Sequence, residues 1–174
     1  MRRTVALHRY VLVVLLGSCS TLACSSESAE PEACSTSISG EHELARARHA
    51  CGHTIDGPFA SVEGAPTAGA APELRNTHTA YAVSLTASGD GHSGWARFRP
   101  RVAGRYAFYI EGNAPLSVSG GDERALCAVA AHTVPECERL NEVWLYDLAA
   151  QRDFSLKLGP TPPSTVTVVI EQEN

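Results

Sequence analysis

Lysine is almost missing from this chain. Lys157 stands alone beside 13 arginines, and methionine occurs once, at Met1. With a single lysine, the arginine excess reads as coding bias, not as a recognition surface. Positive charge is short as well: 14 basic residues face 19 acidic ones. A polyanion-binding protein carries the opposite balance, which argues against a nucleic-acid partner. Catalytic signatures are also wanting. There is no H-E-x-x-H, no paired C-x-x-C, and no G-x-S-x-G; Ser93 sits one residue out of place in Gly91-His92-Ser93-Gly94. No nucleophile or acid pair can be named, so the chain reads as a binding protein, not an enzyme. Finally, no apolar run is long enough to span a bilayer, which takes ~20 residues.

What is present begins with the leader. Arg2, Arg3 and Arg9 precede an apolar stretch from Tyr10 to Leu16, followed by Leu16-Gly17-Ser18-Cys19. A basic end, a short apolar core and small residues describe a cleaved secretory signal over residues 1–18. The Leu-x-small-Cys ending resembles the lipobox of bacterial lipoproteins, whose cysteine is lipidated and becomes the mature N-terminus. The resemblance implies permanent attachment to a membrane, and with Ser20 after the cysteine it implies the outer membrane, facing periplasm or cell surface. Cys24, in Thr21-Leu22-Ala23-Cys24, is the rival acceptor. Cys19 has the leucine in its favour, whereas Cys24 would leave an even number of cysteines to pair. Loss of the leader leaves 11 basic and 19 acidic residues, a charge near −8.

Residues 19–40 are rich in Ser, Ala and Glu without an apolar period and read as a flexible tether. Residues 41–174 read as one domain. A short helix is expected over 41–49, capped by Ser39 or Gly40 and stopped at Cys51-Gly52. About eight strands follow: 79–86, 94–100, 105–111, 116–119, 125–130, 143–148, 154–158 and 165–171. Their period-2 apolar faces are separated by turn residues such as Gly89-Asp90-Gly91 and Gly120-Gly121-Asp122. Short strands without intervening helices predict an all-β fold, an antiparallel sandwich or barrel, with a second sheet covering the apolar side of the first. The stretch Arg99-Pro100-Arg101-Val102-Ala103-Gly104-Arg105-Tyr106-Ala107-Phe108 resembles the jelly-roll modules of secreted bacterial proteins, which implies an antiparallel β-sandwich of jelly-roll type.

Cys34, Cys51, Cys127 and Cys137 are the disulfide candidates, since exported cysteines pair more often than they bind metal. One arrangement closes short loops, Cys34–Cys51 and Cys127–Cys137. The favoured one links Cys34 to Cys127 and Cys51 to Cys137, stapling the N-terminal segment to the β-domain.

Histidine is the one residue whose placement suggests chemistry. His49-Ala50-Cys51-Gly52-His53 sets two imidazoles within five residues, His78 precedes the first strand, and His132 lies in a late loop. Converging neutral imidazoles bind Zn or Cu, and His53 and His78 are the best placed, at one end of a sheet. The motifs Cys51-Gly52-His53-Thr54-Ile55-Asp56-Gly57-Pro58, His78-Thr79-Ala80-Tyr81-Ala82-Val83, Tyr106-Ala107-Phe108 and Leu158-Gly159-Pro160-Thr161 resemble a group of uncharacterised bacterial predicted lipoproteins. That group has C-x-H-x3-G-P, then H-T-x-Y-x-V, a further strand His, and F-G-P-T. The resemblance implies a small β-sandwich whose three histidines share a ligand. Two departures matter: Trp144 stands where the third His is expected, and Leu158 replaces Phe. The first either removes the metal or shifts its third ligand to His49 or His132.

Other motifs carry less. Gly89-Asp90-Gly91-His92-Ser93-Gly94 matches G-x-G-x-x-G but runs into an alternating segment ending at Pro100, so it predicts a hairpin turn and not a phosphate loop. Arg97, Arg99, Arg101 and Arg105 read as a solvated strand face, and Trp95 and Trp144 as core residues. The first expectation is therefore a lipid-anchored envelope module binding a protein or glycan. The alternative is a periplasmic Zn- or Cu-binding protein built on the His cluster.

Overall fold

Alternation along the strands decides the architecture. In the sequence Thr165-Val166-Thr167-Val168-Val169-Ile170-Glu171, Val166, Val168 and Ile170 point one way and Thr167, Val169 and Glu171 the other. The structure, a computed structural model, describes Cys34, residues 36–121 and residues 124–173. The leader, Cys19 and Cys24 lie outside the described residues.

The described strands are β1 (Ile38–Glu41), β2 (Phe59–Glu63), β3 (Ala80–Ser84), β4 (Thr86–Ser88), β5 (Gly91–Phe98), β6 (Gly104–Glu111), β7 (Leu116–Ser119), β8 (Ala130–Thr133), β9 (Leu140–Leu148), β10 (Phe154–Thr161) and β11 (Thr165–Glu173). One α-helix, α1 (Leu44–Asp56), lies between β1 and β2. A seven-stranded sheet runs β1-β8-β9-β6-β11-β3-β2, and a four-stranded sheet runs β4-β5-β10-β7. Both sheets contribute to one apolar cluster. Tyr81, Phe108, Ile110, Tyr146, Val168 and Ile170 of the larger sheet meet Phe98, Val118, Phe154, Leu156 and Leu158 of the smaller. The Phe98 ring sits 5.3 Å from Tyr106 and 5.9 Å from Phe108, both edge to face. Fully burying each such side chain contributes about 1.5–3 kcal/mol. The Tyr106 hydroxyl, buried with them, donates to the Val102 carbonyl at 2.8 Å.

The all-β expectation holds in outline, with two corrections. Eleven strands are present among the described residues, not about eight, and the pairing is not wholly antiparallel: β1 joins β8 and β2 joins β3 in parallel. The additional strands are β1, β2 and β4; the strand expected at 125–130 is instead β8, over Ala130–Thr133, so His132 lies on a strand and not in a loop. Every residue of β1 and β4 is exposed; β2 alternates over only five residues, with Ala60 and Val62 packed on the core and Phe59 in solvent. They exist because a neighbouring edge offers hydrogen bonds. β1 also begins at Ile38, inside the stretch read as tether, and Ser39 and Gly40 belong to it and cap no helix. The Gly89-rich segment is a hairpin loop, with Ser88 paired to Gly91 and Gly89 at φ +59°.

The helix also differs from expectation. It does not stop at Cys51-Gly52 but runs a further turn, to Asp56. The stop is Gly57, at φ +79°, whose N–H donates to the His53 carbonyl at 3.1 Å, with Pro58 next. Ala47, Ala50 and Thr54 form the buried face of α1. The alanines pack on the outer side of the larger sheet, against Ala80, Ala107, Tyr109, Val143, Leu145 and Val169. Disulfides Cys51–Cys137 and Cys34–Cys127 tie α1 to the segment before β9 and the N-terminal segment to the one before β8. Each contributes about 2–4 kcal/mol.

Candidate metal centre

Extending α1 to Asp56 changes what its histidines can do. His49 and His53 are four residues apart on one helix, so they lie one turn apart on the same face. That face looks onto the end of β11, where Glu171 projects on the outer side opposite the small residue Ala107. β3 stops pairing with β11 at Ala80, opposite Val169. Beyond that point the chain turns through His78, at φ +55°, and its N–H donates to the Ile170 carbonyl at 2.9 Å. Histidine tolerates the left-handed region better than most residues. The turn sets the His78 imidazole over Glu171.

Four side chains converge there: His49, His53, His78 and Glu171, with one donor atom from each within 4.8 Å of all the others. His49 Nε2 is 3.4 Å from His53 Nε2 and 3.3 Å from His78 Nδ1. Glu171 Oε1 is 3.3 Å from His53 Nε2, and Oε2 is 3.6 Å from His49 Nε2 and 2.8 Å from His78 Nδ1. With metal–ligand bonds of ~2.0–2.1 Å, tetrahedral geometry separates donor atoms by ~3.3–3.4 Å. Four of these five separations lie within a few tenths of an ångström of that edge. The short contact of His78 with Oε2 is that of a hydrogen bond.

Protonation strengthens the argument. His53 Nδ1 lies 3.0 Å from the Gly57 carbonyl, which can only accept. Nδ1 therefore carries the proton, and in neutral His53 the Nε2 lone pair faces the cluster. Glu171 Oε1, 3.3 Å away, is buried and has no hydrogen-bond partner among the described residues. When Glu171 is ionised the two electron pairs face each other, and a metal cation seated between them would relieve the cost of an orphaned buried acceptor, about 1–3 kcal/mol. Burial, then the Glu173 charge, push the Glu171 carboxyl up to about 7. Burial, then His53 and His49, push the His78 imidazole down, favouring the neutral form that binds metals.

The neighbouring carboxylate behaves differently. Glu173 is met by Arg46 and by His42, each at 3.2 Å. Glu173 Oε1 and His42 Nε2 are likewise buried without a hydrogen-bond partner among the described residues, but the Arg46 guanidinium balances the Glu173 charge, and burial lowers the basicity of His42 against the pull of Glu173. Between the two carboxylates lies a cleft of about 360 Å³, lined by His49, His78, Arg46 and Tyr109 among others.

The cluster thus unites His49, His53 and His78 and leaves out His132. His132 Nδ1 bonds instead to the Ser39 carbonyl at 2.6 Å, and its ring lies against His42. Trp144 could not supply a ligand position either. It pairs with Phe108 on β6 and packs toward the core between the sheets, on the other side from the cluster. Its indole N–H donates to Glu142. Glu171 was not foreseen; its one signal is an acidic residue at an outward position directly after the apolar run Val168-Val169-Ile170. The arginines mostly pair with carboxylates: Arg99 grips Asp153 with two bonds of 2.6 and 2.8 Å, and Arg105 grips Asp147 across the strands. His92 lies elsewhere, bonded to the Pro162 carbonyl. The chain matches no protein-family model, and no curated protein matches it.

Proposed function

We propose that this protein binds a divalent transition metal, Zn(II) or Cu(II), through His49 Nε2, His53 Nε2, His78 Nδ1 and Glu171. The observation that carries this reading is the buried, unpartnered Glu171 Oε1 facing the bare Nε2 of His53, inside a donor set spaced for tetrahedral coordination. Imidazole suits Zn and Cu alike, and a single carboxylate disfavours the hard, oxygen-seeking ions. Four protein ligands fill a tetrahedral sphere, so the role is binding and not turnover. The scaffold is a β-sandwich of jelly-roll type, exported through the leader and held by lipid on Cys19, or alternatively Cys24, at the outer membrane. With Cys34, Cys51, Cys127 and Cys137 paired, these two are the only cysteines left for lipid. The family of predicted lipoproteins with C-x-H-x3-G-P and H-T-x-Y-x-V motifs is its proposed kin. An envelope protein or glycan remains its proposed partner, now as one that meets the metal.

Titration of the metal-free protein with Zn(II) and Cu(II) tests this. One equivalent is expected to bind, and the His53→Ala, His78→Ala double variant is expected to lose at least about 100-fold in affinity. Unchanged affinity in that variant would remove the proposal.

A further inference from the structure

The four ligands are not held alike. Side-chain exposure is 9% for Glu171 and 15% for His53, but 50% for His78 and 58% for His49. His53 is also locked at its second nitrogen by the Gly57 carbonyl, whereas among the described residues no such lock is seen on His49 or His78. A metal ligand is stiffened by the bond its other nitrogen makes, so the set divides into two fixed and two loosely held donors. The loosely held pair lines the cleft beside Ala45, Arg46 and Tyr109; His53 does not. A closed structural centre buries its ligands on all sides. This one is buried on one side and open on the other.

Resting on the metal reading above, we infer that the site is an exchange centre, which hands its ion to an acceptor entering the cleft on the His49 and His78 side. The acceptor is a group bearing nitrogen, oxygen or sulfur donors. Zinc coordination expands to five, so the incoming lone pair bonds to the metal before a protein ligand leaves. His49 departs as neutral imidazole, the acceptor's second donor displaces His78, and Glu171 and His53 let go last. The ion keeps its two positive charges throughout. Each departing donor keeps its own electron pair. No electron moves.

The test is stopped-flow transfer from the Zn(II)-loaded full chain to a chromogenic pyridylazo chelator, followed by its absorbance. Equilibrium dialysis first establishes loading. The observed rate should rise in proportion to chelator concentration without a plateau. Ala45→Trp, which fills the cleft beside His49 without removing a ligand, should slow transfer about tenfold or more while leaving the dialysis Kd unchanged, a barrier change of ~1.4 kcal/mol. A rate independent of chelator concentration, or an Ala45→Trp rate equal to the parent's, would overturn the exchange inference and leave the metal site standing. Failure of the parent protein to load would overturn both.

Discussion

The two faces of the seven-stranded sheet are built from the same strands yet do different work. On the inner face, Val166, Val168 and Ile170 of β11 join Phe108, Tyr146 and Phe154 in a core sealed by the second sheet. On the outer face, Val169 joins Tyr109, Leu145 and the alanines of α1 in a second cluster, and two residues further on Glu171 lies among imidazoles. Large side chains fill one interface, and small ones bring a helix close to the other. Where that helical cover ends, ionisable groups gather on a backbone held rigid from behind. The comparison teaches that the site takes its precision from the core it turns away from.

The comparison can be broken most forcefully from the inner side. Phe108→Ala should cost about 3–5 kcal/mol, read from denaturant unfolding, because the rings of Phe98 and Tyr146 lose their partner. A loss below ~1 kcal/mol would mean the sheets do not share a packed interior. Replacing both Cys51 and Cys137 by Ser probes the outer side. Stability should fall by about 2–5 kcal/mol. Metal affinity should fall too, since α1 carries two ligands and has otherwise alanines and the Arg46–Glu173 ion pair to hold it. Full metal affinity in that variant would show that the helix needs no staple.

Much of this contrast was legible in the residues. Period-2 alternation announced β5, β6, β9, β10 and β11, and the crowding of His49 and His53 with His78 named three of the four donors. Three things were not legible. Gly52 looked like a helix stop because glycine disfavours helix interiors by about 1 kcal/mol, yet Cys51 is tethered by its disulfide and Gly57-Pro58 supplies a stronger stop. β1 and β4 have no buried face to betray them, and β2 has only Ala60 and Val62 on its inner side, because an edge needs little beyond backbone hydrogen bonds. Glu171 was hidden because its partners come from α1 and from the turn before β3, separations that no local pattern records. His132 illustrates the converse: a histidine of the right type whose ring is spent on the Ser39 carbonyl.

Glu171→Gln sharpens the electrostatic side. In the metal-free protein the Glu171 carboxyl is raised to about 7 from an ordinary value near 4.5, by burial and then by Glu173. Between those values the folded state holds a proton that the unfolded state has released, so this group's contribution falls as pH rises. The loss, up to about 3 kcal/mol by pH 7, should appear as a wild-type-minus-variant difference in unfolding free energy that falls from pH 4.5 to 7. A flat difference would contradict it. The smallest effect belongs to the surface. Replacing Arg105 and Asp147 together by Ala should leave both melting temperature and metal affinity unchanged, since the pair lies in solvent. A shift in affinity there would mean long-range charge, not local donors, governs the site.

The coordination sphere itself is the most direct measurement. X-ray absorption at the metal edge of the Zn(II)-loaded protein should show three imidazoles and one carboxylate oxygen at about 2.0–2.1 Å. A sphere with fewer than two imidazoles, or the same spectrum from the His53→Ala, His78→Ala variant, would contradict the assignment of this cluster as the metal centre.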